Sequence, residues 1–196
     1  MPTMINEENN IAYLHFSKTG GWFVTRMLRQ DNWNIVDIKT KGGHLGVHEL
    51  NENVFTFGFI RHPFEWYKSL YNYFWTCDFN NGIDDFNHLR SHSLDEFIIK
   101  TKDGFNLSEM YNDFFGIDTD KECNEILKYE DMHKELPKLL SRFGMNYYEY
   151  ISKNKNHYVN KSVQQSGCNL SKKSTDYIIN SCHQIFERFN YDKVIK

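Results

Sequence analysis

Ile11-Ala12-Tyr13-Leu14-His15-Phe16-Ser17-Lys18-Thr19-Gly20-Gly21-Trp22 is the stretch on which the fold turns. Its first six residues are apolar-rich and short, as a buried strand is. The Lys-Thr-Gly-Gly turn that closes them opens a helical run from about Trp22 to Gln30. Two adjacent glycines let the backbone turn so that successive amide N–H groups face one anion. The new helix adds the positive end of its dipole, and Lys18 adds a mobile charge. Phosphate or sulfate is therefore the ligand expected of this loop. Because Lys18 precedes the glycines, the order GxxxxGK[ST] is absent and the loop is P-loop-like without being that of an ordinary ATPase or GTPase. Taken alone, so short a glycine motif is equally well a surface turn.

A second strand and helix repeat the pattern. Val54 to Ile60 is aromatic and β-branched, and Arg61-His62-Pro63 follows it directly. Pro63 suits a first helical turn, and Trp66, Tyr67, Leu70, Tyr71 and Phe74 then recur at helical spacing. An arginine at a strand end can hold a phosphate bidentately, and Ser69 lies about two turns into the helix. Further along, Ser93-Leu94-Asp95-Glu96 has the serine and glutamate of a capping box. Glu125 to Tyr129 reads as a third strand before a helix bearing Leu136, Leu139, Leu140 and Phe143. The spacing of Ile178, Cys182, Ile185, Phe186 and Phe189, with Ser171 as cap, predicts one regular C-terminal helix. Strands alternating with helices predict an α/β fold, a central parallel sheet flanked by helices, with ligands at the carboxyl ends of the strands.

The 196 residues suit one domain over 1–196, with the polar, acidic residues 1–10 expected to be a flexible N-terminus. Twenty-six acidic against 23 basic side chains give a net charge of −3, which argues against non-specific nucleic-acid binding. No apolar run approaches the roughly 20 residues of a membrane span, and no secretory signal pattern opens the chain, so a soluble, intracellular protein is expected. Cys77, Cys123, Cys168 and Cys182 are widely spaced without a CxxC pair, as reduced buried thiols are.

HFSKTGG, taken with FGFIRHPFEWYKSLYNYF, resembles the sulfotransferase superfamily, whose donor is 3′-phosphoadenosine 5′-phosphosulfate (PAPS). The first segment is similar to that family's PKTGTT or PKTGGT loop for the 5′-phosphosulfate. The second matches its RxPxxxxxSxY segment for the 3′-phosphate at Arg61, Pro63, Ser69 and Tyr71. LKYEDM at 127–132 is similar to the family's LRYEDL, and FERFNYD to its FxxFGY ending, so the likeness runs from residue 11 to about 192. Ser17 stands in place of the usual proline, Trp22 in place of a frequent threonine, and Ile185 where aspartate is common. The resemblance implies that Lys18 bridges the 5′-phosphosulfate, that Ser17, Thr19, Gly20, Gly21 and Trp22 line it mainly with amides, and that Arg61 and Ser69 hold the 3′-phosphate. Lys161, in an NKS stretch similar to that of some relatives, would by the same resemblance lie in a loop over the donor, with a solvated basic segment as the equal alternative.

Transfer to a hydroxyl needs a base near neutral pH, a task that suits histidine. His44, in GGHLGVHEL between the two donor loops, is the candidate, with His48 second; a purely structural role in a glycine-rich turn is the competing reading of both. No HExxH is present, and the i,i+4 pairs His44/His48 and His88/His92 do not make a metal site, so no metal is expected. Tyr147-Tyr148-Glu149-Tyr150 could form an acceptor surface, but aromatic clusters more often fill a core, and the segment is given no role. The expected function is a PAPS-dependent sulfotransferase that releases adenosine 3′,5′-bisphosphate and acts on a saccharide, tyrosine or small alcohol. A nucleotide or small-molecule kinase, or a catalytically silent nucleotide-binding or interaction module, are the alternatives.

Overall fold

The computed structural model describes residues 3–36, 45–76, 89, 91–102, 106–154 and 169–194. Five strands, β1 (Met4–Asn6), β2 (Ile11–Leu14), β3 (Asn34–Ile35), β4 (Phe55–Ile60) and β5 (Glu125–Lys128), form one sheet in the order β3-β1-β2-β4-β5. Among the described residues there are eight α-helices: α1 (Gly21–Leu28), α2 (Pro63–Thr76), α3 (Leu94–Thr101), α4 (Leu107–Phe115), α5 (Met132–Ser141), α6 (Tyr148–Asn154), α7 (Lys172–Ser181) and α8 (His183–Arg188). None is long and apolar enough to cross a membrane. The α/β class is thus as expected.

The sheet, however, is mixed. β2, β4 and β5 run parallel, with Tyr13 opposite Phe57 and Phe57 opposite Glu125, while β1 pairs antiparallel with both β2 and β3. The cause is local. Residues 7–10 form a tight turn in which Asn10 takes a left-handed φ of 52° and Asn6 Oδ1 accepts from the Asn9 amide at 3.0 Å. So short a connection permits only an antiparallel return. Residues 4–6 of the polar N-terminal stretch are therefore a strand, with Met4 fully buried.

The chain divides into two compact units, residues 1–61 with 111–160 and residues 62–110 with 161–196. In the first, every residue of β2 is buried, as a strand covered on both faces must be. Ile11, Tyr13, Phe57 and Phe59 share one face, packed with Phe23, Val24, Met27 and Leu28 of α1 and Leu136, Leu139 and Leu140 of α5. On the other face Gly58 leaves room for Phe115, whose ring would lie 2.4 Å from a Cβ there. Phe16 stacks within 4.3 Å of the Tyr111 ring on the same side. Of the tyrosines in the cluster at 147–150, Tyr147 is buried but Tyr148 is 52% exposed at the start of α6.

In the second unit Tyr71 and Phe74 of α2 meet Phe97 of α3, and Phe64 meets Phe186 of α8. Ser93 caps α3 by accepting from the Glu96 amide at 3.2 Å. Glu96 returns the bond one residue further out, to the His92 amide at 2.8 Å. The single C-terminal helix expected from the spacing is two, broken at Cys182, which leaves helical geometry at φ −110°, ψ 18°. The fully buried Cys182 carries the apolar stripe from α7 into α8, so side-chain periodicity runs straight through a backbone break. Burial pushes the Cys182 thiol up to about 11 and the Cys123 thiol up to about 12, which keeps both protonated and inert near neutral pH. Cys77 and Cys168 lie outside the described residues.

Candidate functional site

The candidate site lies in the first unit, at the carboxyl ends of the three parallel strands. β2 runs into the loop 15–20, β4 into Arg61, and β5 into a short 3-10 turn at Tyr129–Asp131. Parallel order brings these three exits to one edge of the sheet, where open α/β sheets bind their ligands.

The first loop is held by its own side chains. Thr19 is fully buried, and its hydroxyl donates to the Phe16 carbonyl at 2.8 Å, so it shapes the turn. Lys18 has a left-handed φ of 65° and Gly20 one of 77°, a sequence of turns that folds the chain back into α1. A non-glycine residue in that region costs roughly 1–2 kcal/mol, and such strain gathers at functional sites. The two glycines have separate reasons. Gly20 needs its positive φ, and a Cβ on it would also meet Tyr129 at 2.7 Å. Gly21 is excluded from bearing a side chain by the buried His15 ring, which a Cβ would meet at 1.7 Å. Ser17 and Lys18 are half-buried, and Trp22, 47% exposed, begins α1 with Gly21, where backbone amides have no intrahelical acceptor.

Arg61 closes onto this loop. Its Nη1 donates to the Lys18 carbonyl at 3.2 Å, and its guanidinium carbon lies 4.7 Å from the centre of the Tyr129 ring. The Tyr111 hydroxyl accepts from the Arg61 amide at 3.0 Å, which fixes the backbone at the strand exit. Arg61 Nε is buried and donates to nothing among the described residues. A buried donor attached to a fixed positive charge is costly to leave unpaired, and an anion is the partner that satisfies both.

Of the residues picked out in sequence, Ser17, Lys18, Thr19, Gly20, Gly21, Trp22 and Arg61 come together here. Ser69 is half-buried on α2, in the second unit. His44 and Lys161 lie outside the described residues. His48 is exposed in the 3-10 turn Val47–Glu49. Its neighbour Val47 lines a cavity of about 330 Å³ with Thr56 and Asn124, at the amino end of β4 and β5. The rise of β4 is roughly 3.3 Å per residue, so nearly the whole strand separates that turn from Arg61. Glu49 is used locally, accepting from the Gly46 amide at 2.9 Å. Among the described residues no group of three histidine, cysteine or carboxylate side chains is placed to hold a metal.

Tyr129, which lies against Arg61 and Gly20, is not singled out by residue type or spacing, although it belongs to the LKYEDM segment that resembles a family motif. Compared with known protein families, curated proteins and solved structures, the chain has no significant match.

Proposed function

We propose that the protein is a sulfotransferase that takes its sulfuryl group from PAPS and passes it to a hydroxyl acceptor. The observation that carries this reading is Arg61 Nε, buried and without an acceptor among the described residues, beside the Lys18 loop at the carboxyl ends of β2 and β4. That orphaned donor suits a phosphate, as does the turn at Gly20 that leads into the helix amides of Gly21 and Trp22. When bound, the donor supplies an activated sulfuryl group: its sulfur–bridging oxygen bond breaks with the electron pair left on the phosphate, and a sulfur–oxygen bond forms to the acceptor.

Residues of the chain have two tasks in that step. Lys18 neutralises the charge that grows on the bridging oxygen, while Arg61 anchors the 3′-phosphate and so holds the donor in line. The acceptor's proton passes to a base, for which the sequence offers His44.

A direct test is calorimetric titration with two nucleotides that differ by one phosphate. Adenosine 3′,5′-bisphosphate should bind at least about tenfold more tightly than adenosine 5′-phosphate, because one charge-assisted hydrogen bond contributes roughly 1.5–3 kcal/mol. Equal affinities would refute the reading.

A further inference from the structure

The three loops at the carboxyl edge meet at one side chain. The Tyr129 ring, on the exit from β5, carries the Arg61 guanidinium 4.7 Å from its centre, and its Cε2 edge fills the space that a Cβ on Gly20 would need, 2.7 Å away. The guanidinium is thus held on one side by an aromatic ring and at Nη1 by the Lys18 carbonyl at 3.2 Å, while Nε is left buried without an acceptor among the described residues. An arginine on a flexible side chain loses much rotamer entropy when it grips a ligand, and prior stacking removes part of that loss. A leucine at 129 would fill similar space without the ring's negative face.

We propose that Tyr129 is a positioning residue of the anion site: its ring holds the Arg61 guanidinium in place so that Nε is presented to the bound phosphate. This rests on the anion-binding reading above and assigns Tyr129 an action through Arg61 alone. The ring face is what holds the guanidinium, and phenylalanine offers the same face.

The test is a double-mutant cycle read by calorimetry with adenosine 3′,5′-bisphosphate, with thermal denaturation of each variant confirming that it is folded. Tyr129→Phe should bind within about twofold of wild type, and Tyr129→Leu about 3- to 30-fold more weakly, the range of a partly desolvated cation–π contact. In an Arg61→Ala background, Tyr129→Leu should have no further effect. Phenylalanine at 129 bearing three ring fluorines keeps the shape and cancels the ring's negative face, so its affinity should fall towards the leucine value even if the leucine variant fails to fold. A loss from Tyr129→Leu that is as large without Arg61, or a fluorinated ring that binds like phenylalanine, would overturn the positioning role while the anion site stands. If Arg61→Ala itself binds the nucleotide as wild type does, the anion site falls as well.

Discussion

Arg61→Ala is expected to erase most of the preference for adenosine 3′,5′-bisphosphate over adenosine 5′-phosphate, a loss of about 10- to 150-fold in affinity for the bisphosphate alone. The size follows from one or more charge-assisted hydrogen bonds at roughly 1.5–3 kcal/mol each. Affinity for the monophosphate should change little, since its 5′-phosphate is assigned to the Lys18 loop. The substitution also removes the bond to the Lys18 carbonyl and the cover over Tyr129, so a modest stability cost of about 1 kcal/mol accompanies it. Arg61→Lys separates the two effects: it keeps the charge but not the planar fork, and should recover only part of the preference. Bisphosphate and monophosphate weakened in equal proportion would mean that Arg61 supports the fold of the loop and not the 3′-phosphate.

The second large effect belongs to Lys18. Lys18→Ala should depress sulfuryl transfer by about 10²- to 10³-fold and weaken adenosine 3′,5′-bisphosphate much less, because charge on the bridging oxygen develops only as the bond breaks. The left-handed φ of 65° supplies a control. Lys18→Gly removes the same ammonium and also relieves the strained backbone, so its melting temperature should equal or exceed that of wild type while turnover is lost. A variant that is more stable and less active cannot owe its defect to unfolding. Rate and product affinity falling together would make Lys18 a binding residue only, and a rate within about twofold of wild type would remove it from the reaction.

How far the sequence carries can be judged from particular residues. Ile11–Phe16 and Val54–Ile60 announce two of the parallel strands because each is a short apolar run followed by a turn and a helical pattern, and Glu125–Tyr129, with Ile126 and Leu127 at its centre, announces the third by its place before a helical pattern. β1 is hidden because Met-Ile-Asn sits among glutamates and asparagines, and its pairing depends on the Asn6 and Asn10 turn. β3 is two exposed residues at the sheet edge, too short for any periodicity. The break at Cys182 is invisible because periodicity reports side chains and not backbone hydrogen bonds.

At the site, the KTGG loop and Arg61 are legible from residue type and order. The reasons for the glycines are not: the turn at Gly20 is chemistry a sequence can suggest, but the exclusion of a side chain at Gly21 comes from the His15 ring, on the far side of a folded loop. Nor does anything in sequence join Arg61 to Tyr129, which parallel strand order alone brings face to face. His48, second to His44 as a candidate base on spacing, follows Val47, which lines the cavity at the amino end of β4.

The most direct measurement is a crystal structure of the protein with adenosine 3′,5′-bisphosphate bound. The account predicts one phosphate within hydrogen-bond distance of Arg61 Nε, about 2.7–2.9 Å, with Tyr129 still stacked on the guanidinium, and the other phosphate against Lys18 and the amides of Gly20, Gly21 and Trp22. A nucleotide bound elsewhere, with Arg61 Nε still lacking an acceptor, would contradict it.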